Sequence, residues 1–359
     1  MTRSGRSGLP RKVISARPDY SPRVDVVIPV FRPGAWLAVC LDSAIASTGV
    51  RVLLWVVDDD PTRPLDDGQI QASWPQSTVI SMATNSGFAS ACNRGIRAGT
   101  APYVLLLNQD ARLEPDYVSR LVARLEEDPG LGAVAGKLLR QEEPAIPPDG
   151  TIDTCGIEIR RGRRPVDIDQ GQLDDGRADQ WREVFGVCAA AALYRRSAIE
   201  QVAVGGEVFD ELFFMHKEDV DLAWRLRAAG FRAGFDPSAV GYHARGVRRA
   251  LDVVGSGPRK WVERGRRLIS QERGKSSMLR RRAWRNQVLL LVKNEEPDDF
   301  MRSFGDLLAH QALQTGISFF LDPLGTIKSR VSIVSDLPKA FAARRARETR
   351  RSSLRDWLP

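Results

Sequence analysis

Four short β-branched runs alternate with stretches of helical periodicity in the first third of this chain, and three of the four stop at Asp or Asn. Val24–Val30 opens the series. Val52–Val57 ends in Asp58-Asp59-Asp60, Thr78–Met82 leads into Asn85, and Tyr103–Leu107 ends in Asn108-Gln109-Asp110. Ala35–Ser47, Ala89–Ala98 and Pro115–Glu127 carry apolar residues at helical spacing. Nearly continuous apolar strands need cover on both faces, and strands separated by helices join in parallel. The pattern predicts an α/β fold with a doubly wound, mainly parallel, Rossmann-like sheet. A short strand is expected around Ala133–Ala135, a helix over Asp219–Ala229 stopped by Gly230, and a strand at Phe231–Phe235. Arg140–Gln180, rich in Pro, Gly and acids, reads as an insertion or a linker between half-domains.

Ligands of open parallel sheets bind outside the carboxyl ends of the strands, where the three polar clusters fall. Any one cluster is explained equally well as the cap of the helix that follows. Three together place acids and amides on a single rim. Asp110, followed by Arg112, Glu114 and Asp116, is a candidate for holding Mg2+ or Mn2+, which prefer hard oxygen ligands and shared phosphates. Glu218, Asp219 and Asp221 crowd another helix start. An ion pair of Asp221 with Arg225 at i,i+4 accounts for one of these acids but not for all three. Like charges in proximity raise a carboxylate's pKa and make it a better proton acceptor. No P-loop, GxGxxG, HExxH or nucleophile-elbow pattern is present.

These residues resemble the family 2 nucleotide-sugar glycosyltransferases with the GT-A fold, especially the bacterial rhamnosyltransferase-like members. The resemblance runs from about Val24 to Gly246, with a weaker echo to about Asn294. Val26-Val-Ile-Pro-Val30, which contains Pro29, looks like the family's opening strand, and Asp58 stands where a VVDN-type motif holds the nucleoside base. The run from Asn85 to Ile96 is similar to the NxGFAxAxNxGI signature, which implies donor-binding roles for Asn85, Gly87, Phe88 and Asn93. Leu105–Asp110 resembles the LLLNPD form of the family's DxD, so Asn108 and Asp110 are expected at the donor and Asp110 at the metal. Glu218-Asp219 looks like the ED motif, in which the second acid is the catalytic base. His243-Ala-Arg-Gly246 resembles an HxxG whose His lies near metal and diphosphate. Arg285-Asn286 and Leu289–Asn294 echo an RNxLLLLxKN stretch. Two departures stand out. Asn108-Gln109-Asp110 keeps a single carboxylate, and Asp58-Asp59-Asp60-Pro61 replaces VVDNxS. The resemblance implies an inverting transferase that moves a sugar, with rhamnose from dTDP-rhamnose the favoured case. Its acceptor would be a lipid-linked, polyprenyl-type or cell-envelope glycan. A non-catalytic sugar-nucleotide-binding or scaffold protein of a membrane-bound glycan assembly is the alternative.

The net charge of +8 is unevenly placed: residues 247–359 carry 24 basic and 12 acidic side chains, and the preceding part is mildly acidic. This suggests a basic disordered arm over residues 1–23, a GT-A domain over 24–246 and a helical basic extension over 247–359, with catalysis and docking as separate jobs. Arg259–Arg285 has 11 basic and two acidic residues interleaved with Trp261, Leu268, Ile269, Met278, Leu279 and Trp284. That mixture fits anionic lipid headgroups with Trp at the membrane boundary, or else a solvated helical face. Phe304–Leu324 adds an amphipathic stretch. Arg and Trp also serve nucleic-acid binding, but no recognised module is present, so none is expected. A second copy of the chain is a candidate partner. Cys40, Cys92, Cys155 and Cys188 show no metal-ligand spacing and read as buried thiols of a reducing compartment. Neither a secretory signal nor an apolar span is seen, so the expected location is cytoplasmic, peripheral at the inner face of the plasma membrane.

Overall fold

The computed structural model describes residues 21–245, 276–347 and 357. The expected N-terminal arm up to residue 20 and the basic segment 246–275, with Trp261, Leu268 and Ile269, lie outside the described residues. The alternation expected from the sequence is present. The first half runs β1 (Arg23–Val30), α1 (Trp36–Ile45), β2 (Arg51–Asp58), α2 (Asp67–Ser73), β3 (Ser77–Ser81), α3 (Phe88–Ala98) and β4 (Tyr103–Leu107). It continues with β5 (Ala111–Leu113), α4 (Tyr117–Glu127) and β6 (Leu131–Arg140). The stretch expected to be a linker instead contains β7 (Ile152–Thr154) and the hairpin of β8 (Ile157–Arg160) and β9 (Arg164–Asp167). Then follow β10 (Arg182–Val184), β11 (Ala191–Arg195), α5 (Arg196–Gln201), α6 (Glu218–Ala228) and β12 (Arg232–His243).

The main sheet has the order β10-β12-β6-β11-β4-β1-β2-β3. β3, β2, β1, β4, β6 and β12 point one way, and β11 runs antiparallel between β4 and β6. Period-2 alternation in β1 sends Val24, Val26, Ile28 and Val30 to a core with α1 and α4, while Val27 packs against α3 on the other face. Each buried side chain of this kind contributes roughly 1.5–3 kcal/mol.

β12 is longer than the sequence suggested. Pro237 reads as a strand break, yet the register jumps from Asp236 to Val240 and the strand resumes through His243. A bulge absorbs the proline, which has no N–H to offer the ladder.

The C-terminal part supplies α7 (Ser277–Asn294), α8 (Pro297–Leu321) and α9 (Pro323–Arg347). α7 is built into the α/β body: Trp284, Leu289 and Leu290 are buried with Phe213, Val220 and Trp224. Trp284, expected at a membrane boundary, is covered by the Arg330 guanidinium 3.6 Å from its ring centroid. α8 and α9 leave many large apolar side chains exposed, among them Met301, Phe304, Leu308, Phe319, Phe320, Leu324, Ile327, Val331 and Val334. Among the described residues, no helix is long and apolar enough to cross a membrane.

Candidate active site

The ends of β1, β2 and β3 build one wall. Pro29 pairs level with Val57 and Val30 with Asp58. The Asp58 carboxylate is turned into its own loop, accepting from the Asp60 amide at 3.1 Å and the Leu65 amide at 2.7 Å. Asp59 reaches across to the next loop and accepts from the Ser86 and Gly87 amides at 2.7 and 2.8 Å. Burial pushes the Asp59 carboxyl up, and those two amides offset part of the rise. Asn85 is exposed and Phe88 is half-buried. Gly87 has φ 88°, and a Cβ there would stand 2.6 Å from Phe214, so only glycine fits this close approach. Asn93 is a buried clamp: its Nδ2 donates to the Phe209 carbonyl at 2.8 Å, and its Oδ1 accepts from the Phe209 amide at 2.8 Å.

The second wall forms where β4 and β12 end. The β5–β12 pairing sets His243 opposite Ala111, one residue beyond Asp110, and thereby brings them together across the rim. His243 Nε2 lies 3.3 Å from Asp110 Oδ1 and 3.2 Å from Asn108 Nδ2. Its Nδ1 lies 2.9 Å from Asp153 Oδ2. Burial alone would lower the His243 pKa, but hydrogen bonds to Asp110 and Asp153 and their charges outweigh it and raise the group to about 9. Reciprocally, burial pushes the Asp110 carboxyl up while the His243 hydrogen bond and charge hold it below its ordinary value. Arg245, at φ 40°, pairs with Asp153 at 2.5 Å and Asp167 at 2.6 Å. An unbroken chain of opposite charges thus runs Asp110–His243–Asp153–Arg245–Asp167.

Among the described residues, no three His, Cys, Asp or Glu side chains converge into a closed metal cage. An open set is present. Asp110 offers a partly exposed hard carboxylate, Asp153 holds Nδ1 so that Nε2 faces it, and the buried Asn108 Oδ1 beside them has no hydrogen-bond partner. A carboxylate behind an imidazole is the usual orienting arrangement for a ligand, and such a set would take a cation that displaces the Nε2 proton and whose shell is completed by a ligand.

The third wall is the start of α6, where the three acids have different fates. Asp221 is fully buried and paired with Arg225 at 2.9 Å and Lys293 at 2.8 Å, while Asn294 Nδ2 donates to it at 2.8 Å. Burial opposes its charge, but Lys293 and Arg225 prevail and hold the carboxyl far below the ordinary range. Glu218 is buried with Oε2 unpartnered, and burial, with the neighbouring Asp219 charge, pushes its carboxyl well up. Asp219 is half-buried and accepts from the Val220 amide at 2.8 Å. Burial first, and then the charge of Asp167, raises it to about 6. Asp167 therefore couples the Asp219 wall to the His243 wall.

Comparison with known proteins decides the family. A model described as "Glycosyl transferase family 2" matches residues 25–203. The N-acetylglucosaminyl-diphospho-decaprenol L-rhamnosyltransferase of Mycobacterium tuberculosis is 30% identical over 242 residues, covering 61% of this chain and 75% of that protein. The chain belongs to glycosyltransferase family 2. An N-acetylglucosaminyltransferase of Bradyrhizobium diazoefficiens is 32% identical over 235 residues, covering 61% of this chain but only 44% of that protein. A crystal structure of GalNAc-T7 with UDP, GalNAc and Mn2+ matches with a TM-score of 0.57 at 13% identity, covering 85% of this chain and 57% of that one. The fold is accordingly the GT-A arrangement of this family, and the chain spans less than half the length of the B. diazoefficiens relative.

Asp110 and His243, expected together, do meet, and Asn108 joins them. Asp219 joins them only through charge, by way of Asp167 and Arg245. Asp153 and Asp167 were missed because they sit in an irregular acid-rich segment with no diagnostic spacing. Arg245 lay inside the quoted His243–Gly246 run, but nothing in the sequence gave it a partner.

Proposed function

We propose that this glycosyltransferase catalyses an inverting transfer, with Asp219 as the general base. The observation that carries this reading is the half-buried Asp219 carboxylate at the open end of α6, raised to about 6 and therefore ionised yet basic at neutral pH. In the reaction the acceptor hydroxyl oxygen forms a bond to the anomeric carbon. The bond from that carbon to the diphosphate breaks, and its electron pair leaves with the diphosphate. The hydroxyl proton passes to Asp219. Glu218 is buried beside it, and burial with the Asp219 charge pushes the Glu218 carboxyl well up, which favours its neutral form next to that carboxylate. Pro29, Asp58, Asn85, Gly87, Phe88 and Asn93 lie on or behind the wall assigned to the nucleotide, and Asn108 and Asp110 on the wall assigned to the diphosphate. Asp110 and His243 would hold Mg2+ or Mn2+, which when bound neutralises charge developing on the leaving diphosphate. The relative in M. tuberculosis, named for rhamnosyl transfer to a decaprenol-linked sugar, makes dTDP-rhamnose and a polyprenyl-linked acceptor the favoured pair.

Such an acceptor is presented at a membrane, and the C-terminal helices fit that setting. On α9, Leu324, Ile327, Val331, Val334 and Phe341 recur at helical spacing and are all exposed. The exposed charges of this helix, Lys328, Lys339 and Arg345, are basic, and its acid Asp336 is engaged by Arg285 at 2.8 Å. An apolar ridge flanked by positive charge lies in the plane of an anionic lipid surface. We take the protein to work at the cytoplasmic face of the membrane in this way.

The test is a panel of nucleotide sugars with Mg2+ or Mn2+ and a polyprenyl-diphosphate-linked sugar acceptor, run on wild type and Asp219→Asn. Transfer from one donor, lost by at least 1,000-fold in the variant while donor binding persists, supports the reading. Wild-type transfer by the variant overturns Asp219 as the base, and donor binding without transfer by the wild type leaves a sugar-nucleotide sensor.

A further inference from the structure

The backbone that delivers Asp219 is held in an unusual conformation by a helix more than sixty residues further along the chain. Between the short helical turn Glu211–Phe213 and α6, three non-glycine residues have positive φ: Phe214 at 61°, His216 at 70° and Lys217 at 76°. L-residues adopt this region only when their surroundings over-determine it. The residue after the last of them is Glu218, and the next is Asp219.

α7 supplies the surroundings. Asn286 is fully buried, and its Nδ2 stands 2.9, 2.9 and 2.8 Å from the carbonyl oxygens of Phe213, Met215 and His216, so two N–H groups serve three acceptors. Arg285 Nη1 donates to the Leu212 carbonyl at 2.7 Å, and the Arg282 guanidinium lies 3.8 Å from the Phe214 ring centroid. Lys217 Nζ donates to Gln287 Oε1 at 2.5 Å. About two turns further, Lys293 pairs with Asp210 at 2.6 Å and Asp221 at 2.8 Å. The loop is also tied to the nucleotide wall, since the Phe214 carbonyl accepts from the Ala89 amide at 3.1 Å and Gly87 abuts the Phe214 ring. The Gly87 turn has its own anchor in Asp59, which accepts from the Ser86 and Gly87 amides, so relaxing the loop acts first on the start of α6.

We propose that Asn286 is a positioning residue that fixes the 213–217 loop and so aims the Asp219 carboxylate at the acceptor. The proposal rests on the reading of Asp219 as the base. Asn286 touches no reacting atom; it acts through three carbonyls that its amide gathers to one point. A carboxylate at that place could not donate to them, and an aliphatic side chain would remove the one side-chain donor that the three carbonyls share, leaving Phe213 with the Met215 amide at 2.7 Å. α7 is thus part of the active-site scaffold.

The experiment is a double-mutant cycle on the full chain: wild type, Asp219→Asn, Asn286→Ala and the double variant, with Tm measured from pH 4 to 8 and transfer measured with the donor that the nucleotide-sugar panel selects. If Asn286 positions Asp219, the Tm gained at pH 7.5 on neutralising Asp219 shrinks by at least half in the Asn286→Ala background. The kcat of Asn286→Ala falls at least 30-fold with donor KM within threefold, and the acid limb of its kcat profile moves to lower pH as solvent reaches the carboxylate. Tm shifts that add within about 1 °C, as independent sites do, with kcat per folded molecule and the acid limb unchanged, overturn the proposal. Should Asn286→Ala not fold, Arg282→Ala, which removes the cover over Phe214 and the contact with Met215 Sδ, replaces it in the same cycle, with a fivefold kcat loss and the same shift of the acid limb expected. An active Asp219→Asn sinks the base assignment whatever Asn286 does; an inactive Asp219→Asn beside an unaffected Asn286→Ala sinks the positioning role alone.

Discussion

Replacing Asp219 with Asn removes one charge at the start of α6 and keeps an oxygen that can accept from the Val220 amide. In the folded protein, burial together with the charge of Asp167 raises this carboxyl from an ordinary 3.8 to about 6. A carboxyl raised by folding favours the native state while it is protonated. That contribution is fully present below 3.8 and is lost as pH rises through about 6. At pH 7.5 the ionised group therefore opposes folding, by up to about 3 kcal/mol at about 1.4 kcal/mol per pH unit. Asp219 is half-buried and solvent screens part of this, so the working expectation is about 1–2 kcal/mol. For a domain of this size that is a Tm increase of roughly 2–6 °C. The assay is thermal unfolding of both proteins from pH 4 to 8, followed by circular dichroism. The variant should match wild type near pH 4, pull ahead between pH 4 and 6, and hold a constant lead above pH 7, while sugar transfer is lost. Wild-type transfer should itself fade as pH drops through about 6, because the base becomes protonated. A variant less stable than wild type at pH 7.5, or a difference that is the same at every pH, would refute the reasoning.

Two further outcomes follow from the other walls and from the surface. Asp110→Asn takes one of two anions from His243 and the one partly exposed carboxylate from the candidate cation set. Donor affinity measured calorimetrically with Mn2+ should fall at least tenfold, and the Mn2+ dependence should vanish; an unchanged Mn2+ dependence rules Asp110 out as a ligand. Ile327→Glu with Val331→Glu places two acids on the exposed ridge of α9, far in sequence from the catalytic residues. Co-sedimentation with phosphatidylglycerol vesicles should be lost while transfer to a water-soluble acceptor stays intact, and retained vesicle binding would exclude this ridge as the lipid contact.

Particular residues show where sequence reasoning reached its limit. The strand ends at Asp58 and Asn108 were legible because apolar runs stop there, and the start of α6 was legible because acids cluster ahead of a helical period. The i,i+4 pair of Asp221 with Arg225 was expected, and it forms at 2.9 Å. Lys293 and Asn294, the last two residues of the RNxLLLLxKN echo, also close on Asp221, and nothing local to either segment pairs them. Pro237 masked the second half of β12 because a bulge is a pairing property of two strands, invisible in one. Trp284 suggested a membrane boundary by its basic neighbours, yet it is part of the packing between α7 and α9, with Arg330 over its ring.

By itself, the sequence determined the layered α/β frame, the alternation of strands and helices in its first third, and the three clusters of acids and amides at the carboxyl edge. Those features follow from side-chain periodicity and local capping, which act over a few residues. Only the tertiary structure decided which acids share a charge and which are neutralised. Asp153, Asp167 and Arg245 come from separate segments to join His243 and Asp219, and α7 returns from the far end of the chain to hold the loop before Glu218. Long-range pairings of this kind are set by how strands register and helices pack, so a carboxylate's proton affinity is a property of the assembled site, not of its own stretch of sequence.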